Sequence, residues 1–387
     1  MRISINRIAR GYFLISGSRI FKVGDFYMQE KLDKKRDGNF KETNRKTNTK
    51  KILFRAVNVA VVVGFGIFLV YYLLNQVEIE DIKNAFLNIY KPSLIIGLVF
   101  MFSVDFFRAY RTKILIGSPR IGIGDTFLVS LIRNAFNMIL PARTGELSYV
   151  YVLKRKFKFP VEIGVSTLMI ALVFDLVIVF SMIVISIVIV GINRYAISST
   201  NVILIAAGLL IAALLILFYL SKFIRLFIKI FDRVLSKYRI GKSKVIQYIY
   251  KKLVDTNKNI ELIQKRKIYI KVYLASVPIR VLKFTSYYFL IHAVLKPMGF
   301  EFSDLSFWVI FLAAMAAEFS AVMPTHALAG FGTYEGAFVL AFVMLGFNKE
   351  ISIIVGFSYH IINLIFTVAM GLLAIAILSM PFYRVRK

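Results

Sequence analysis

Two glutamates in this sequence each follow a proline-and-glycine break between apolar segments, a placement that could bring ionisable chemistry into an apolar interior. The first break reads Pro141-Ala-Arg143-Thr-Gly145-Glu146, and the second begins at Pro324 and ends Ala329-Gly330-Phe-Gly332-Thr-Tyr-Glu335-Gly336. Proline cannot continue the preceding helix, and glycine permits the backbone angles of a sharp turn. The residues expected to form the two turns are Pro141, Gly145, Pro324, Gly330, Gly332 and Gly336.

Glu146 and Glu335 admit two interpretations. A carboxylate at the start of a helix is stabilised by the positive end of the helix dipole, so capping accounts for either residue alone. Their recurrence beside two corresponding breaks favours a site that receives a cationic group or a proton. Arg143 and Arg108 carry guanidinium groups that fit two phosphate oxygens, or that extend outward to lipid headgroups.

Ionisable side chains within apolar segments are the wider set of candidates, because each costs at least about 2.5–3.5 kcal/mol at the centre of a membrane helix. Asp175 is expected to pair with an arginine, and Glu318 is either a proton-coupling carboxylate or a helix contact. The candidate substrate-binding residues are Arg143, Glu146, Glu335, Arg108, Glu318, Asp105, Asp175 and His360. No nucleophile, base and orienting residue occur together in the sequence, so no catalytic residue is assigned and an enzyme is not expected.

The elements that position these residues are apolar helices. The chain has 387 residues, of which 58% are hydrophobic, and its mean hydropathy is +0.72, more apolar surface than one water-soluble core can bury. A span of a membrane needs about 20 apolar residues. We predict an all-α, polytopic membrane bundle with about six full spans: Phe54–Leu74, Ser93–Phe107, Ile163–Ile192, Val202–Leu220, Val272–Leu295 and Ile351–Leu378.

The charge balance indicates an anionic membrane surface as a partner. Lys and Arg total 50 against 21 acids, a net charge of +29, and the cations flank apolar spans rather than forming a nucleic-acid-binding module. The chain has no cysteine and three histidines, so neither a disulfide nor a metal site is expected. No phosphate-binding loop for ATP occurs, and no cofactor is expected, so movement of a substrate would draw on a gradient or on the substrate's own distribution.

Charge also divides the chain and orients it. Residues 1–51 carry 14 Lys or Arg and 5 acids and are expected to be a partly disordered cytoplasmic extension, without a cleavable signal peptide, before a membrane domain at 52–387. Residues 222–271 carry 15 Lys or Arg and 3 acids, with apolar residues at helical spacing, and predict a basic amphipathic segment on the membrane surface. Because cytoplasmic loops retain Lys and Arg, both termini are expected in the cytoplasm of a multi-pass cell-membrane protein.

Two apolar segments are too short to span. Thr126–Leu140 has basic residues on both sides, Arg108, Arg111, Lys113 and Arg120 before it and Arg143, Lys154, Arg155, Lys156 and Lys158 after it, so both of its flanks are expected in the cytoplasm. A hairpin that enters the membrane and returns would place both flanks of this short segment on the same side, and an interfacial helix is the alternative. Ser303–Met323 and Thr333–Leu345 form a second pair of arms around the 324–332 turn. We predict that the two broken hairpins enter from opposite faces as an inverted repeat, the arrangement typical of transporters.

Two segments of the sequence resemble a known family. Leu140–Arg155, LPARTGELSYVYVLKR, and Ala329–Gly346, AGFGTYEGAFVLAFVMLG, are similar to motifs of the lysylphosphatidylglycerol synthase transmembrane, flippase-like family. The resemblance extends from about residue 51 to the C-terminus. Two features depart from the family pattern. His360 and Asn363 lie in a span that often carries arginine in the family, and five residues separate Pro324 from Gly330 where the family usually has a proline-glycine turn.

This resemblance implies the translocation of a lipid, without a fused soluble catalytic domain. The leading hypothesis is a flippase or transporter that moves an anionic phospholipid or a lipid-linked precursor between leaflets through a polar cavity near the midplane, lined by Arg143, Glu146 and Glu335. Two alternatives remain: an integral-membrane transferase acting on lipid headgroups, with Glu146 or Glu335 as base, and a non-catalytic subunit that recruits a soluble enzyme through residues 222–271. A homo-oligomer is compatible with each.

The predicted orientation is directly testable because the chain has no cysteine. Single cysteines introduced within 31–51 or 222–271 should resist an impermeant thiol reagent added to intact cells and should react after the cells are opened. A cysteine introduced in the acidic loop 75–92 serves as the reactive control. Labelling of 31–51 or 222–271 from outside would reverse the assigned orientation.

Overall fold

The structure is a computed structural model that describes residues 12–13, 21–22, 64–140, 144–194, 200–237, 244–320, 328–380 and 383. The chain divides into two units, Met1–Val62 and Val63–Lys387. In the first unit, strand β1 (Tyr12–Phe13) pairs antiparallel with strand β2 (Phe21–Lys22), with Tyr12 opposite Lys22. The basic segment 31–51 lies outside the described residues.

The described part of the second unit is helical. Its α-helices are α1 (Gly64–Leu74), α2 (Ile79–Leu87), α3 (Lys91–Ile116), α4 (Ile123–Ile139), α5 (Glu146–Arg155), α6 (Val161–Arg194), α7 (Thr200–Lys237), α8 (Lys244–Lys265), α9 (Tyr269–Leu295), α10 (Phe307–Ser320), α11 (Thr333–Met344) and α12 (Lys349–Ser379). Three short 3-10 helices lie at Lys296–Met298, Phe302–Asp304 and Leu328–Gly330. The expectation of a helical membrane protein is confirmed.

Among the described residues, three helices are long and apolar enough to cross a membrane: α3, residues Val161–Val190 of α6, and α12. A fourth span results if the two parts of α7, Leu210–Ile216 and Phe218–Arg233, are counted together across the 70° bend between them. The helix α9 has 27 residues, enough for about 40 Å at 1.5 Å per residue, but it carries the buried cation Arg280. The number of spans therefore stays a prediction.

Helix α3 is longer than the predicted segment Ser93–Phe107 because its C-terminal end is stabilised by Arg266, a residue outside the helix. Gly117 adopts a left-handed conformation, with φ of 62°, directly after the last helical residue. The Arg266 guanidinium then donates to the carbonyl oxygens of Leu115 and Ile114, both at 2.9 Å. A side chain at position 117 would lie 1.7 Å from Arg266 Nη2. The extension places Arg108 and Arg111 inside the helix rather than on a flanking loop.

The basic segment 222–271 folds as the second part of α7, all of α8 and the start of α9. On α7, Phe223, Leu226, Phe227 and Ile230 are exposed at helical spacing. On α8, Lys252 forms an ion pair with Glu162 at 2.5 Å, and the hydrogen bond that its ammonium donates to the Glu162 carboxylate raises the pKa of Lys252. The second part of α7 therefore has the exposed apolar face that the sequence predicts for a surface element.

The two broken hairpins pack around α12. The helices α4 and α5 form the first hairpin and α10 and α11 the second, and the 3-10 helix Leu328–Gly330 contacts α4. Pro141, Arg143 and Pro324 lie outside the described residues. In the second turn, Ala329, Gly330 and Gly332 have φ of 54°, 78° and 86°. Gly336, expected in this turn, instead lies within α11, because the helix already begins at Thr333.

Close helix crossings depend on glycine. A Cβ added at Gly371 of α12 would lie 2.2 Å from the Cβ of Ala135 on α4. A Cβ added at Gly97 of α3 would lie 2.8 Å from the Leu290 side chain on α9. Small residues let membrane helices approach closely, which strengthens their van der Waals contact. These two contacts fix α4 against α12 and α3 against α9.

We expect Gly371→Ala to destabilise the protein by about 1–3 kcal/mol, the usual cost of overpacking, because its methyl group overlaps that of Ala135. The measurement is unfolding in detergent. Gly208→Ala is the matched control, since nothing lies within 4 Å of the added Cβ. The double variant Gly371→Ala with Ala135→Gly should recover stability, and equal effects at positions 371 and 208 would contradict the tight crossing.

Candidate functional site

The centre of the helical unit contains a buried carboxylate shared by two arginines. Asp175 on α6 accepts from Arg111 Nη1 of α3 at 2.5 Å and forms an ion pair with Arg280 Nη2 of α9 at 2.8 Å. Arg111 also donates to Ser276 Oγ at 3.1 Å. Arg111 is 1% exposed, and Asp175 and Arg280 are 6% and 7% exposed. The expected pairing of Asp175 with an arginine is present, and it joins three helices.

The network continues to α10. Arg280 Nη1 lies 3.7 Å from Glu318 Oε2, and Lys283, one turn further along α9, forms an ion pair with Glu318. The charges therefore alternate along a path from Arg111 through Asp175, Arg280 and Glu318 to Lys283. This order satisfies each carboxylate with more than one cation, which is how buried charges are tolerated in an apolar interior.

Two further ion pairs face the same region. Arg108 donates to Asp105 at 3.0 Å within α3, and Asn134 of α4 also donates to Asp105. Arg133 Nε lies 3.5 Å from Glu146 Oε2, a longer separation than those of Arg111 and Arg280 from Asp175. Because a separation of 3.5 Å is a weak contact compared with the pairs formed by Asp175, Glu146 and Arg133 have capacity to bind another group.

Gly145 positions Glu146. A Cβ at Gly145 would lie 2.3 Å from the backbone nitrogen of Asn137, so only glycine lets the 144–145 turn rest on α4. Its φ of −57° is one that any residue adopts, and the requirement is therefore steric. Glu146, the first residue of α5, is held beside Arg133 as a result.

These ion pairs surround a cavity of about 170 Å³. Its ionisable lining consists of four cations, Arg108, Arg133, Arg280 and Lys283, and four carboxylates, Asp105, Glu146, Asp175 and Glu318. Arg111, which pairs with the lining residue Asp175, adds a fifth cation from behind. Polar contributions also come from Asn134, Asn137, Tyr287, Tyr334 and Asn363. With every group in its usual charge state, the cluster carries one excess positive charge, which favours an anionic ligand.

Glu335 and His360 form a separate buried pair. His360 Nδ1 lies 2.5 Å from Glu335 Oε1, and the backbone N–H of Gly332 donates to Glu335 Oε2 at 2.7 Å. The residues are 0% and 1% exposed and are not among those that line the cavity. The Tyr334 ring stacks on His360, with centroids 4.4 Å apart.

The expectation that Glu335 and Glu146 line one cavity does not match this placement. Consecutive residues of a helix point about 100° apart, and in α11 it is Tyr334 that reaches the cavity. The bond from Gly332 is the capping contact that was the alternative interpretation of Glu335. His360 adds an ionisable partner that capping alone does not require.

The sequence-based candidates thus separate into groups. Five of them line the cavity: Asp105, Arg108, Glu146, Asp175 and Glu318. Glu335 and His360 lie behind its wall, and Arg143 lies outside the described residues. Arg133, Arg280 and Lys283 were not among the sequence-based candidates, and Arg111, expected after the second span, is instead a buried residue within α3.

A signal for the missed residues was present. Arg133 lies within the apolar segment Thr126–Leu140, and Arg280 and Lys283 lie within Val272–Leu295. The rule applied to the carboxylates, that an ionisable group inside an apolar segment needs a reason, applies equally to these cations. Within the described residues, no group of three or more His, Asp or Glu is arranged to hold a metal ion.

The chain matches the model of a known family. The model of the lysylphosphatidylglycerol synthase TM region matches residues 56–371 of the chain. This range contains every described residue that lines the cavity, and it confirms the resemblance drawn from the two turn motifs. No curated protein matches the chain.

We expect Asp175→Asn to destabilise the protein by about 3–5 kcal/mol, because it leaves two buried arginines without their shared carboxylate. The measurement is unfolding in detergent at constant pH. The matched control is Glu80→Gln, which breaks the exposed pair of Lys83 and Glu80 at 2.9 Å and should cost less than about 1 kcal/mol. Equal effects of the two substitutions would contradict a structural role for Asp175.

Proposed function

Because the chain belongs to the family of the lysylphosphatidylglycerol synthase TM region, we propose that it moves a phospholipid or a lipid-linked precursor between the two leaflets of a membrane. The polar headgroup passes through the cavity lined by α3, α4, α5, α6, α9, α10, α11 and α12, while the acyl chains stay in the surrounding lipid. The observation that carries the proposal is the set of eight ionisable residues that line this cavity within an apolar helical unit.

The cost of such a cavity supports a transport role. A charged group at the centre of a membrane helix costs at least about 2.5–3.5 kcal/mol, and intramembrane ionisable residues mark substrate or ion paths. A purely structural network would need only the paired charges around Asp175. The loosely paired Arg133 and Glu146 add ionisable groups that face open volume, where a headgroup can exchange for the existing partner.

The cations and the carboxylates of the cavity bind different parts of the headgroup. The guanidiniums of Arg133 and Arg108 and the ammonium of Lys283 are placed to donate to the phosphate, which the excess positive charge of the cluster attracts. Glu146 is placed to accept a cationic headgroup substituent or a proton, and Glu318 to exchange a proton with Lys283. Glu335 and His360 support the wall behind Tyr334.

The paired hairpins support an alternating mechanism. Each contributes a carboxylate from a short helix, Glu146 from α5 and Glu318 from α10, and the second turn packs on α4. Broken helices at corresponding places in two halves are the arrangement in which one half rocks against the other around a fixed central site. We propose on this basis that the hairpins form an inverted repeat in a cell membrane, with both termini in the cytoplasm.

The test is leaflet exchange of fluorescent phospholipids in liposomes that contain the purified chain. Glu146→Gln and Arg133→Gln should each slow exchange about tenfold or more, because a hydrogen bond to a charged group contributes about 1.5–3 kcal/mol. The measurement compares lipids with phosphate headgroups that do and do not carry an amine. Unchanged exchange by well-folded variants would return Glu146 to helix capping.

A double variant separates binding from structural pairing. Arg133→Gln combined with Glu146→Gln leaves no unpaired charge, so folding is expected to survive while exchange stays slow. Recovery of the unmodified rate would show that the pair is structural only. Lys258→Gln is the control, since Lys258 is 69% exposed and lies 3.8 Å from Asp255 on α8, outside the cavity.

A further inference from the structure

A second concave surface lies beside the cavity, on the outer side of the first hairpin. It is an apolar groove of about 650 Å³ between α4, α5 and α12, here called the hairpin groove. Its lining residues are Ile132, Phe136, Leu140, Thr144, Leu147, Ser148, Tyr151, Val152, Arg155, Lys156, Ile375, Leu378 and Ser379. Leu147 and Tyr151 are 67% and 61% exposed, so the groove is open to its surroundings.

The groove has an apolar end and a basic end. Helix α5 runs along it from Leu147 to Arg155, a rise of about 12 Å at 1.5 Å per residue. Leu147 lies at the end nearest the cavity, since the preceding residue, Glu146, lines that cavity. Arg155 and Lys156 lie at the other end, where helix α12 also terminates.

The basic end is built from cations and a phenol. Arg155 is exposed, and its Nε lies 3.5 Å from the Tyr151 hydroxyl. Lys156 donates to the Leu378 carbonyl at 2.5 Å, which fixes its ammonium at the end of α12. Tyrosine beside long basic side chains is the combination found where a membrane helix meets the headgroup layer. The two cations therefore lie at the level expected for phosphate.

We propose that the hairpin groove binds one acyl chain of an anionic phospholipid, with the lipid phosphate held at Arg155 and Lys156. The apolar lining suits a hydrocarbon chain, and the positive charge of the basic end selects for an anionic headgroup. The groove and the cavity lie on two sides of the same hairpin, so a lipid bound here would stand next to Glu146. The relevance of this position next to Glu146 rests on the proposed function, while binding in the groove does not.

Fluorescence quenching by brominated lipids tests the groove. Trp308 is the single tryptophan of the chain, so the probe is Leu147→Trp in a Trp308→Phe background, reconstituted in bilayers. Phosphatidylglycerol with brominated acyl chains should quench the introduced indole at least about fivefold more effectively than brominated phosphatidylcholine, the ratio that corresponds to roughly 1 kcal/mol for one basic residue. Equal quenching by the two lipids would overturn the proposal.

Substitutions at Arg155 show whether the basic end of the groove causes the preference for the anionic lipid. Arg155→Gln should reduce the preference about fivefold, and Arg155→Lys should keep it because the charge remains. Arg155 is exposed, so neither change is expected to disturb folding. A preference that survived Arg155→Gln unchanged would also overturn the proposal.

A second probe position controls for lipid that merely surrounds the protein. Leu340→Trp places the indole on α11, where Leu340 is 64% exposed and the last turn has no basic residue. This probe should be quenched equally by both lipids, and a preference equal to that at position 147 would overturn the groove as a distinct site. If position 147 showed the preference while the chain moved no lipid between leaflets, the groove would stand and the proposed function would fail.

Discussion

The shared use of Asp175 by Arg111 and Arg280 is the contact on which the arrangement of the central helices depends. The three residues lie on α6, α3 and α9 and are almost fully buried. In an apolar interior a single unpaired charge is costly, so each helix is held at the position and rotation that keeps its charge paired. Glu318 and Lys283 extend the same constraint to α10, and the cavity is the space that these pairs enclose.

Close packing at glycine residues also fixes the positions of these helices. Gly97 and Gly371 let α3 meet α9 and α4 meet α12 at distances that a methyl group would prevent, and Gly145 lets the first turn rest on the backbone of α4. Charge pairing and close packing therefore act on the same helices. A hairpin that is fixed by packing can present Glu146 and Arg133 to the cavity without pairing them tightly, and the proposed binding of a headgroup depends on this loose pairing.

The hairpin α4–α5 has two sides of different chemical character. Arg133 and Glu146 face the polar cavity, while Ile132 and Leu147, each adjacent in sequence to one of them, line the apolar groove. The alternation follows from helix geometry, which turns neighbouring residues to different sides. A phospholipid has the same division between a charged head and apolar chains, so the hairpin offers a matching surface for each part.

The sequence by itself determined the helical membrane character, the two broken turns and five of the residues that line the cavity, because these follow from local composition and from the cost of an ionisable group in an apolar segment. Local rules also gave the family resemblance through the two turn motifs. They did not place Glu335, whose role depends on which side of α11 faces the cavity and on His360, 25 residues away in the chain. Nor did they distinguish Arg111 as a buried partner of Asp175 from a surface cation, since 64 residues separate the two. Only the tertiary structure decided these pairings, because the energy of a buried charge depends on the groups brought next to it by folding and not on its neighbours in sequence.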